Sequence, residues 1–277
     1  MNPEFDHRNP AEMRVLCEGA ARLGGSLAIA AFGRPIAHEL KPDGSEVSEA
    51  DLAAERAIVD YIRARRPGDL FIGEESVAGP NSAAGSSDDV YWIIDPIDGT
   101  RNFVRGVPCF ACTVAVMHAG RVLAGAIFDP SAGRMYSAAA SGGAWLDGRP
   151  LPRLDTPDAA ALQRGRKPLV AIPSLRRAID ERLTRFALQT AVIRSLGTAT
   201  LHLAYVATGQ FDATILNNCK LWDIAAGALL IEQVGGSVAD LAGRAIFPLD
   251  LPGYRGEELP TVAAQPVEFA RLLAGAA

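Results

Sequence analysis

The segment VYWIIDPIDGTRNF, residues 90–103, joins an apolar run to two acidic residues and a tight turn. The run VYWII predicts a buried strand that ends just before Asp95, so that this carboxylate emerges at the end of the strand. Gly99 permits a backbone geometry that a side chain would obstruct, and Thr100 can cap the short helix that RNFV predicts. A helix N-terminus accepts phosphate oxygens, and Asp95 with Asp98 can accept a hard divalent cation. Neither feature alone names a function.

Two further acidic residues stand at the ends of predicted elements. Glu74 follows the short strand LFIG, and Asp223 stands at the start of an apolar helix, either as its N-cap or as a ligand delivered at a helix start. If these two converge with Asp95 and Asp98, each pair of carboxylates about 4 Å apart repels by roughly 4 kcal/mol. No lysine or arginine is evident in these motifs, so the predicted occupant of the cleft is Mg²⁺ with oxygen ligands.

Two such ions, about 4 Å apart, would polarise a phosphoryl group, stabilise the leaving alkoxide and lower the pKa of an attacking water. This chemistry requires no nucleophilic side chain. The segment around Asp95 therefore predicts a magnesium-dependent phosphate monoesterase.

Three other phosphate or metal motifs do not fit this segment. Haloacid-dehalogenase phosphatases carry DxDGT, but the position two after Asp95 is Ile97. An EF-hand counted from Asp95 would need an oxygen ligand at Ile97 and an acid at its twelfth position, which is Gly106. No GxxxxGK[ST] occurs, so an ATP-binding P-loop is not supported.

Composition indicates a globular chain of one large or two closely packed parts. It has 277 residues, 49% hydrophobic and 21% charged, and a net charge of −5 that argues against a general grip on nucleic-acid polymers. No 18-residue apolar run and no apolar signal core occur, and the four cysteines show no disulfide framework, so we expect a cytoplasmic protein without a membrane span. Cys109 and Cys112 form a CxxC within the apolar run CFACTVAVM, where a strand would point them to opposite faces.

The pattern of elements changes near residue 150. Residues 1–150 predict an α+β part that carries most metal ligands, with helices at 11–32 and 48–66 and an antiparallel meander from 109 to about 140. Residues 151–277 predict an α/β part that supplies Asp223 and the substrate wall. Its strands are expected at 169–173, 191–195 and 211–216, and its helices at 175–190, 198–207 and 223–234.

Five blocks of the chain together resemble the inositol monophosphatase superfamily of magnesium-dependent, lithium-sensitive phosphatases. The resemblance implies a layered αβαβα sandwich of the inositol monophosphatase and fructose-1,6-bisphosphatase type, commonly a homodimer, that hydrolyses a small-molecule phosphate monoester. The blocks are KPDGSEVSEAD at 41–51, FIGEES at 71–76, WIIDPIDGTRNF at 92–103, GTATLHLAYVATGQFDA from 197 and LWDIAAGALLIEQVGG from 221.

The resemblance also implies roles for individual residues and two to three Mg²⁺ ions. The first ion would be held by Glu74, Asp95 and the carbonyl of Ile97, and a third, weaker one would lean on Glu74. The second ion would be held by Asp95, Asp98 and Asp223. The nucleophilic water would be activated by Glu74 and by Thr100 paired with Asp51, and the phosphate would be bound by Asp98, Gly99, Thr100, Ala199 and Asp223.

Some assignments stay open on the sequence alone. Asp51 can equally be a first-turn charge that favours the helix dipole. Animal-type inositol phosphatases carry a glutamate that binds inositol hydroxyls, seven residues before the aspartate that corresponds to Asp223. This chain has Leu216 at that position. Lys220 either meets a second anionic group or is a solvated lysine. Inositol phosphates are the expected substrates, with histidinol phosphate or a 3'(2'),5'-bisphosphate nucleotide as alternatives; a non-catalytic binding protein would have lost a metal carboxylate or the DGT turn, and neither is lost here.

Overall fold

The computed structural model describes residues 9–41, 44, 46–76, 85–156, 165–172 and 181–275. The helices are α1 Pro10–Ala31, α2 Glu49–Arg63, α3 Thr100–Val104, α4 Glu181–Thr190, α5 Ala199–Ala207, α6 Leu221–Gln233 and α7 Pro266–Gly275. The first strands are β1 His38–Leu40, β2 Glu46–Ser48, β3 Leu70–Gly73, β4 Val90–Asp98, β5 Ala111–His118, β6 Arg121–Asp129, β7 Arg134–Ala139, β8 Gly143–Leu146 and β9 Arg149–Pro150. The remaining strands are β10 Leu169–Ala171, β11 Val192–Arg194, β12 Ala213–Leu216, β13 Ser237–Asp240 and β14 Thr261–Ala264.

The described strands form two large sheets and one small hairpin of β1 and β2. The larger sheet has seven strands in the order β3 to β9, and all of its pairs are antiparallel except β3 with β4. The smaller sheet has the order β11-β10-β12-β14-β13; β10, β11 and β12 run parallel, whereas β14 is antiparallel to both neighbours. The parallel core of this sheet agrees with strands that are connected through helices.

Alternation along β4 shows how the seven-stranded sheet is covered on both faces. Trp92 and Ile94 are buried in a cluster with α1 and α2. Tyr91 and Ile93 point the other way and are buried in a cluster with α5 and α6. Because successive side chains in a strand alternate between faces, an almost continuously apolar strand requires helices on both sides.

The five-stranded sheet is covered in the same way. Its inner face shares the large cluster with α5 and α6, and its outer face packs on α4 and α7 through residues such as Leu183 and Leu272. The order of layers is therefore α1/α2, seven-stranded sheet, α5/α6, five-stranded sheet and α4/α7. This is the αβαβα sandwich that the sequence predicted.

Several predicted element boundaries need correction. The strand expected to end at Ile94 continues to Asp98, because Asp95 still pairs with Thr113 and Asp98 pairs with Ala111 across an irregularity in the ladder. Cys109 precedes β5 rather than lying in it, and it packs against the inner cluster while Cys112 packs against α1 and α2. Strands β13 and β14 and helix α7 were not predicted, and the first residues of the helix expected at 175–190 lie outside the described residues.

The predicted division near residue 150 separates the two sheets in sequence but not in the core. The seven-stranded sheet ends at Pro150 and the five-stranded sheet begins at Leu169. The central cluster nevertheless contains residues of both parts, including Ile93 and Leu230. That 1–150 and 151–277 are two domains stays a prediction. None of the described helices combines the length and the apolar character needed to cross a bilayer.

The layer of α5 and α6 lies close against the seven-stranded sheet at Gly125 of β6. A Cβ atom built on Gly125 would lie 2.8 Å from both the Cα and the Cβ atoms of Ala226 in α6. Real Cβ atoms do not approach backbone so closely, so any side chain at this position would push α6 away from the sheet. Asp223 lies in the first turn of α6. The absence of a side chain at Gly125 therefore helps to set how closely Asp223 approaches the seven-stranded sheet.

We therefore expect Gly125→Ala to lower the free energy of unfolding by about 1–3 kcal/mol, the usual cost of overpacking a core. Urea unfolding followed by circular dichroism measures the change. The matched control is Gly68→Ala, because a Cβ atom built on Gly68 meets nothing within 4 Å. Equal stability of the two variants would contradict the close approach of α6 to β6.

Candidate metal and phosphate site

The alternation of β4 also decides where Asp95 points. Asp95 has the same parity as Tyr91 and Ile93, so its side chain lies on the inner face, toward α5 and α6. It is 1% exposed, and its Oδ1 accepts a hydrogen bond of 3.0 Å from the backbone N–H of Ile97. The strand thus delivers a carboxylate into the interior between the two sheets.

Asp223 reaches the same place from helix α6, in the layer between the two sheets. It lies in the first turn of α6 and is not the N-cap, which is Lys220. Its Oδ2 accepts a hydrogen bond of 2.6 Å from the backbone N–H of Lys220, the reach-back contact of a capping box. Of the two sequence-based alternatives for Asp223, the N-cap is wrong. One carboxylate oxygen satisfies the helix start, and the side chain still faces the other acids.

Asp98 is held by the start of α5. Its Oδ2 accepts hydrogen bonds from the hydroxyls of Thr198 and Thr200 and, at 2.7 Å, from the backbone N–H of Thr200. The backbone of Ala199 also hydrogen-bonds to Asp98. A carboxylate at a helix N-terminus is favoured by the helix dipole and by the unpaired amides of the first turn. Ala199, predicted to bind phosphate, here contacts Asp98.

The three aspartates form one cluster. One oxygen each of Asp95, Asp98 and Asp223 lies within 4.8 Å of the others. Burial raises the pKa of Asp95 well above its usual range, and the charges of Glu74, Asp98 and Asp223 raise it further. The pKa of Asp223 is likewise raised by burial and then by Asp98 and Glu74. The fully ionised cluster is therefore unfavourable unless cations neutralise it.

Glu74 lies beside this cluster, and it has a partner that the sequence reasoning missed. Lys41 donates from Nζ to Glu74 Oε1 at 3.1 Å and to Glu75 Oε1 at 2.7 Å. The expectation that no lysine accompanies the acidic motifs is therefore wrong. Burial lowers the pKa of Lys41, but the charges of Glu74 and Glu75 outweigh that effect and raise it.

Glu55 of α2 holds the backbone that carries Glu74. Its Oε2 accepts a hydrogen bond of 3.0 Å from the backbone N–H of Glu75, and it is 5% exposed. A Cβ atom on Gly73 would lie 2.5 Å from this same oxygen. A side chain at position 73 would therefore displace the Glu55 carboxylate from its hydrogen bond to the Glu75 N–H.

Asp51 and Thr100 meet as the resemblance implied. The Thr100 hydroxyl lies 3.2 Å from Asp51 Oδ1 and 3.0 Å from the carbonyl oxygen of Ile97. Oδ2 of Asp51 accepts from both the backbone N–H and the hydroxyl of Ser48, which is the reach-back contact at the start of α2. Burial is the main reason that the pKa of Asp51 rises to about 6. Asp51 thus serves both as the first-turn charge of α2 and as the partner of Thr100.

The turn between β4 and α3 depends on Gly99. Its φ of 96° lies in the left-handed region, and a Cβ atom there would meet the carbonyl oxygen of Cys109 at 3.1 Å.

Leu216 does not present a functional group to the site. It is 2% exposed within the central cluster, so its position offers no acceptor for a substrate hydroxyl.

The structure thus brings most of the predicted residues to one place. Asp95, Asp98 and Asp223 form the cluster, Glu74 interacts electrostatically with all three, and the Asp51–Thr100 pair adjoins them through Ile97. The residues that were missed are Lys41, Glu55, Thr198 and Thr200. The two threonines carried a recognisable signal, because TAT at a predicted helix start is typical of capping.

Comparisons with known proteins agree with this geometry. A sequence profile described as the inositol monophosphatase family matches residues 9–275. The chain is 35% identical over 245 residues to the inositol-1-monophosphatase of Mesorhizobium japonicum, covering 84% of this chain and 86% of that protein. It is 38% identical over 232 residues to the Nus factor SuhB of Pseudomonas aeruginosa, covering 81% and 83%. The extragenic suppressor protein suhB of Bartonella henselae has a similar structure, with a TM-score of 0.80, 26% identity, and coverage of 95% and 97%.

The αβαβα sandwich with an acidic site between its sheets defines the class: a phosphatase of the inositol monophosphatase type. The chain belongs to the inositol monophosphatase family. The resemblance and the fold inferred from the sequence are both confirmed.

The raised pKa of Asp95 predicts how the metal-free protein responds to pH. A carboxyl group that binds its proton more tightly in the folded chain contributes stability below its unfolded pKa of about 3.8, and this contribution is lost as pH rises through the folded value. Asp95→Asn removes this titration, and the amide oxygen can still accept from Ile97. We therefore expect the Tm of this variant in EDTA to exceed that of the wild type by a margin that grows from pH 5 to pH 8.

Differential scanning calorimetry of the two proteins measures this margin, and titrating groups outside the acidic cluster cancel in the comparison. Asp60→Asn is the control for replacing a carboxylate by an amide, because Asp60 is an exposed acid on the outer helix α2. A lower Tm for Asp95→Asn at pH 8 would show that the Asp95 carboxylate stabilises the fold.

Proposed function

We propose that this protein is a Mg²⁺-dependent phosphate monoester hydrolase of the inositol monophosphatase type. The observation that carries the proposal is the cluster of Asp95, Asp98 and Asp223 oxygens within 4.8 Å, next to Glu74 and to the turn at Gly99. The donors are all oxygens, which suits a hard cation, and buried like charges with raised pKa values gain most from neutralisation.

The donor set suits two to three Mg²⁺ ions. Asp95, Asp98 and Asp223 would hold one, and Glu74, Asp95 and the Ile97 carbonyl another, with a weaker third leaning on Glu74. When bound, Mg²⁺ would polarise phosphoryl oxygens and lower the pKa of a water molecule, so that the water could lose a proton and attack as hydroxide. The backbone amides of Gly99 and Thr100 would receive the phosphate at the start of α3.

The protein's own residues would accept the proton that the attacking water loses. Thr100 can accept a hydrogen bond from that water only if its own hydroxyl proton points to an acceptor, and both Asp51 and the Ile97 carbonyl lie within 3.2 Å. Asp51, with a pKa of about 6, is suited to gain and lose a proton near neutral pH. Glu74 would share this role from the other side of the cluster. Ala199 would support the phosphate side through its contact with Asp98.

A non-catalytic role is the alternative from another class. The Pseudomonas relative bears the name Nus factor, so the same fold can have a role named for something other than turnover. The site of this chain retains every carboxylate of the predicted set together with the DGT turn. That complete set favours turnover. The homodimer, the lithium sensitivity and the cytoplasmic location implied by the resemblance stay predictions.

Asp95→Asn should abolish turnover and magnesium binding together. Loss of an outer contact to a metal ligand typically costs about 10–100-fold, so we expect loss of the ligand itself to lower kcat by on the order of 100-fold or more. Phosphate release measures kcat, and isothermal titration calorimetry measures Mg²⁺ affinity. The exposed control Asp60→Asn should match the wild type in both. Full turnover in Asp95→Asn would overturn the metal assignment.

The alcohol of the substrate is tested by comparing kcat/KM for inositol 1-phosphate, histidinol phosphate and adenosine 3',5'-bisphosphate, each with Mg²⁺ and with or without Li⁺. We expect inositol 1-phosphate to be preferred, but not through residue 216, because that side chain is an apolar core residue. The next residue, Asn217, has a buried amide with neither atom hydrogen-bonded in the described part of the chain, and it offers an alternative polar contact. No phosphate release from any of the three at millimolar Mg²⁺ would sink the enzymatic proposal.

A further inference from the structure

The backbone of Leu196 is held on both sides of its Cα atom, at its N–H and at its carbonyl oxygen, by side chains of two different helices. Its carbonyl oxygen accepts a hydrogen bond of 2.7 Å from Asn102 Nδ2, and its N–H donates to His202 Nε2 at 3.0 Å. Asn102 belongs to α3, which starts directly after the Gly99 turn, and His202 belongs to α5. The two side chains therefore connect the phosphate side of the site to the helix layer between the sheets.

The residues next to Leu196 belong to the site. Thr198, two residues later, caps α5 and donates its hydroxyl to Asp98. Gly197 lies between them, and its carbonyl oxygen would be 3.4 Å from a Cβ atom on Gly99. A displacement of Leu196 would consequently move both the hydroxyl that holds Asp98 and the wall against which the Gly99 turn rests.

His202 is built to accept this hydrogen bond. It is 1% exposed, and burial lowers its pKa to about 4, so the ring is neutral at physiological pH. Because Nε2 accepts from the Leu196 N–H, the single ring proton must be on Nδ1, which lies 3.5 Å from the Thr214 hydroxyl. The ring orientation and its tautomer are thus both set by the protein.

We propose that His202 is a positioning residue, which through the backbone of Leu196 places the Thr198 hydroxyl on Asp98 and so sets the affinity of the site for Mg²⁺. Its link to metal binding and turnover rests on the proposed function. His202 does not touch the reacting groups. It acts indirectly, by orienting groups that hydrogen-bond to a metal ligand. In metal sites the loss of such an orienting hydrogen bond typically costs about 10–100-fold in metal affinity or activity.

The decisive variant is His202→Phe, which keeps a ring of similar size but removes the acceptor of the partly buried Leu196 N–H. We expect the Kd for Mg²⁺, measured by isothermal titration calorimetry without substrate, to rise about 10-fold. We expect kcat at low Mg²⁺ to fall by a similar factor and to recover largely when Mg²⁺ is saturating. His202→Gln, whose amide oxygen can reach the position of Nε2, should bind Mg²⁺ almost as the wild type does.

The control for lost packing is Val206→Ala. Val206 lies on the same helix as His202, is 0% exposed within the central hydrophobic cluster, and is not among the residues that hold the Leu196 backbone. It should lower Tm without changing the Kd for Mg²⁺. If His202→Phe behaves in the same way, with reduced Tm and unchanged Mg²⁺ affinity, His202 is merely structural and the proposal is overturned.

Two further measurements do not depend on how well His202→Phe folds. Asn102→Ala and His202→Phe each release one of the two peptide groups that flank Leu196, so their effects on Mg²⁺ affinity should be less than additive in the double variant, whereas additive effects would contradict a shared path through Leu196. Long-range ¹H–¹⁵N spectra of the wild type should show a histidine protonated only on Nδ1 from pH 5.5 to 8, absent in His202→Gln. A histidine 202 protonated on Nε2 would exclude the bond to Leu196.

The outcomes separate this inference from the proposed function. If the wild type releases no phosphate while His202→Phe still weakens Mg²⁺ binding, the enzymatic proposal fails and the positioning role stands. If the wild type is an active phosphatase and both His202 variants bind Mg²⁺ as it does, the positioning role fails alone.

Discussion

The mutual repulsion of three carboxylates, of which Asp95 is buried and Asp98 and Asp223 are partly buried, is the constraint on which this site depends. Asp95 enters the space between the sheets from a strand, whereas Asp98 and Asp223 are held at the starts of helices α5 and α6. Each aspartate has at least one hydrogen-bonded oxygen, yet burial raises all three pKa values, and neighbouring charge raises those of Asp95 and Asp223 further. The fold therefore maintains an arrangement that is unfavourable without cations. This is the condition under which a bound metal contributes most.

Helix starts are what allow the fold to hold these acids in place. Asp51 satisfies the first turn of α2 and meets Thr100, Asp223 satisfies the first turn of α6, and Thr198 caps α5 while donating to Asp98. In each case one group serves local helix stability and the site at once. Because one hydrogen bond serves both the helix and the site, acidic residues that usually lie on the surface can be placed between the layers of the sandwich. The amides at helix ends supply the donors that buried carboxylates require.

Sequence reasoning succeeded where chemistry and spacing are local. The acids of DPIDGT, the glycine turn and the first-turn aspartates were all identified from short windows. It failed where the partner is distant in the chain. Lys41 lies 33 residues before Glu74, and Thr198 lies 100 residues after Asp98; no local pattern indicates that these side chains meet. The strand boundary at Ile94 was also wrong, since pairing of Asp98 with Ala111 extends β4 beyond the apolar run.

Leu216 shows the same limit for specificity. From the sequence it marks a missing hydroxyl acceptor, but only its burial in the central cluster shows that the position belongs to the core. The sequence by itself determined the family, the layered fold class and the identities of the acidic residues, because these are written in motifs of contiguous residues. Only the tertiary structure decided which side chains hold those acids. Lys41 binds Glu74, the Thr198 hydroxyl binds Asp98, and His202 accepts a hydrogen bond from the Leu196 N–H, two residues before Thr198. The Thr198–Asp98 contact forms because α5 packs against the sheet that contains β4, and Lys41 meets Glu74 although 33 residues separate them. Such contacts depend on how distant segments pack in the folded chain, which no short window of sequence contains.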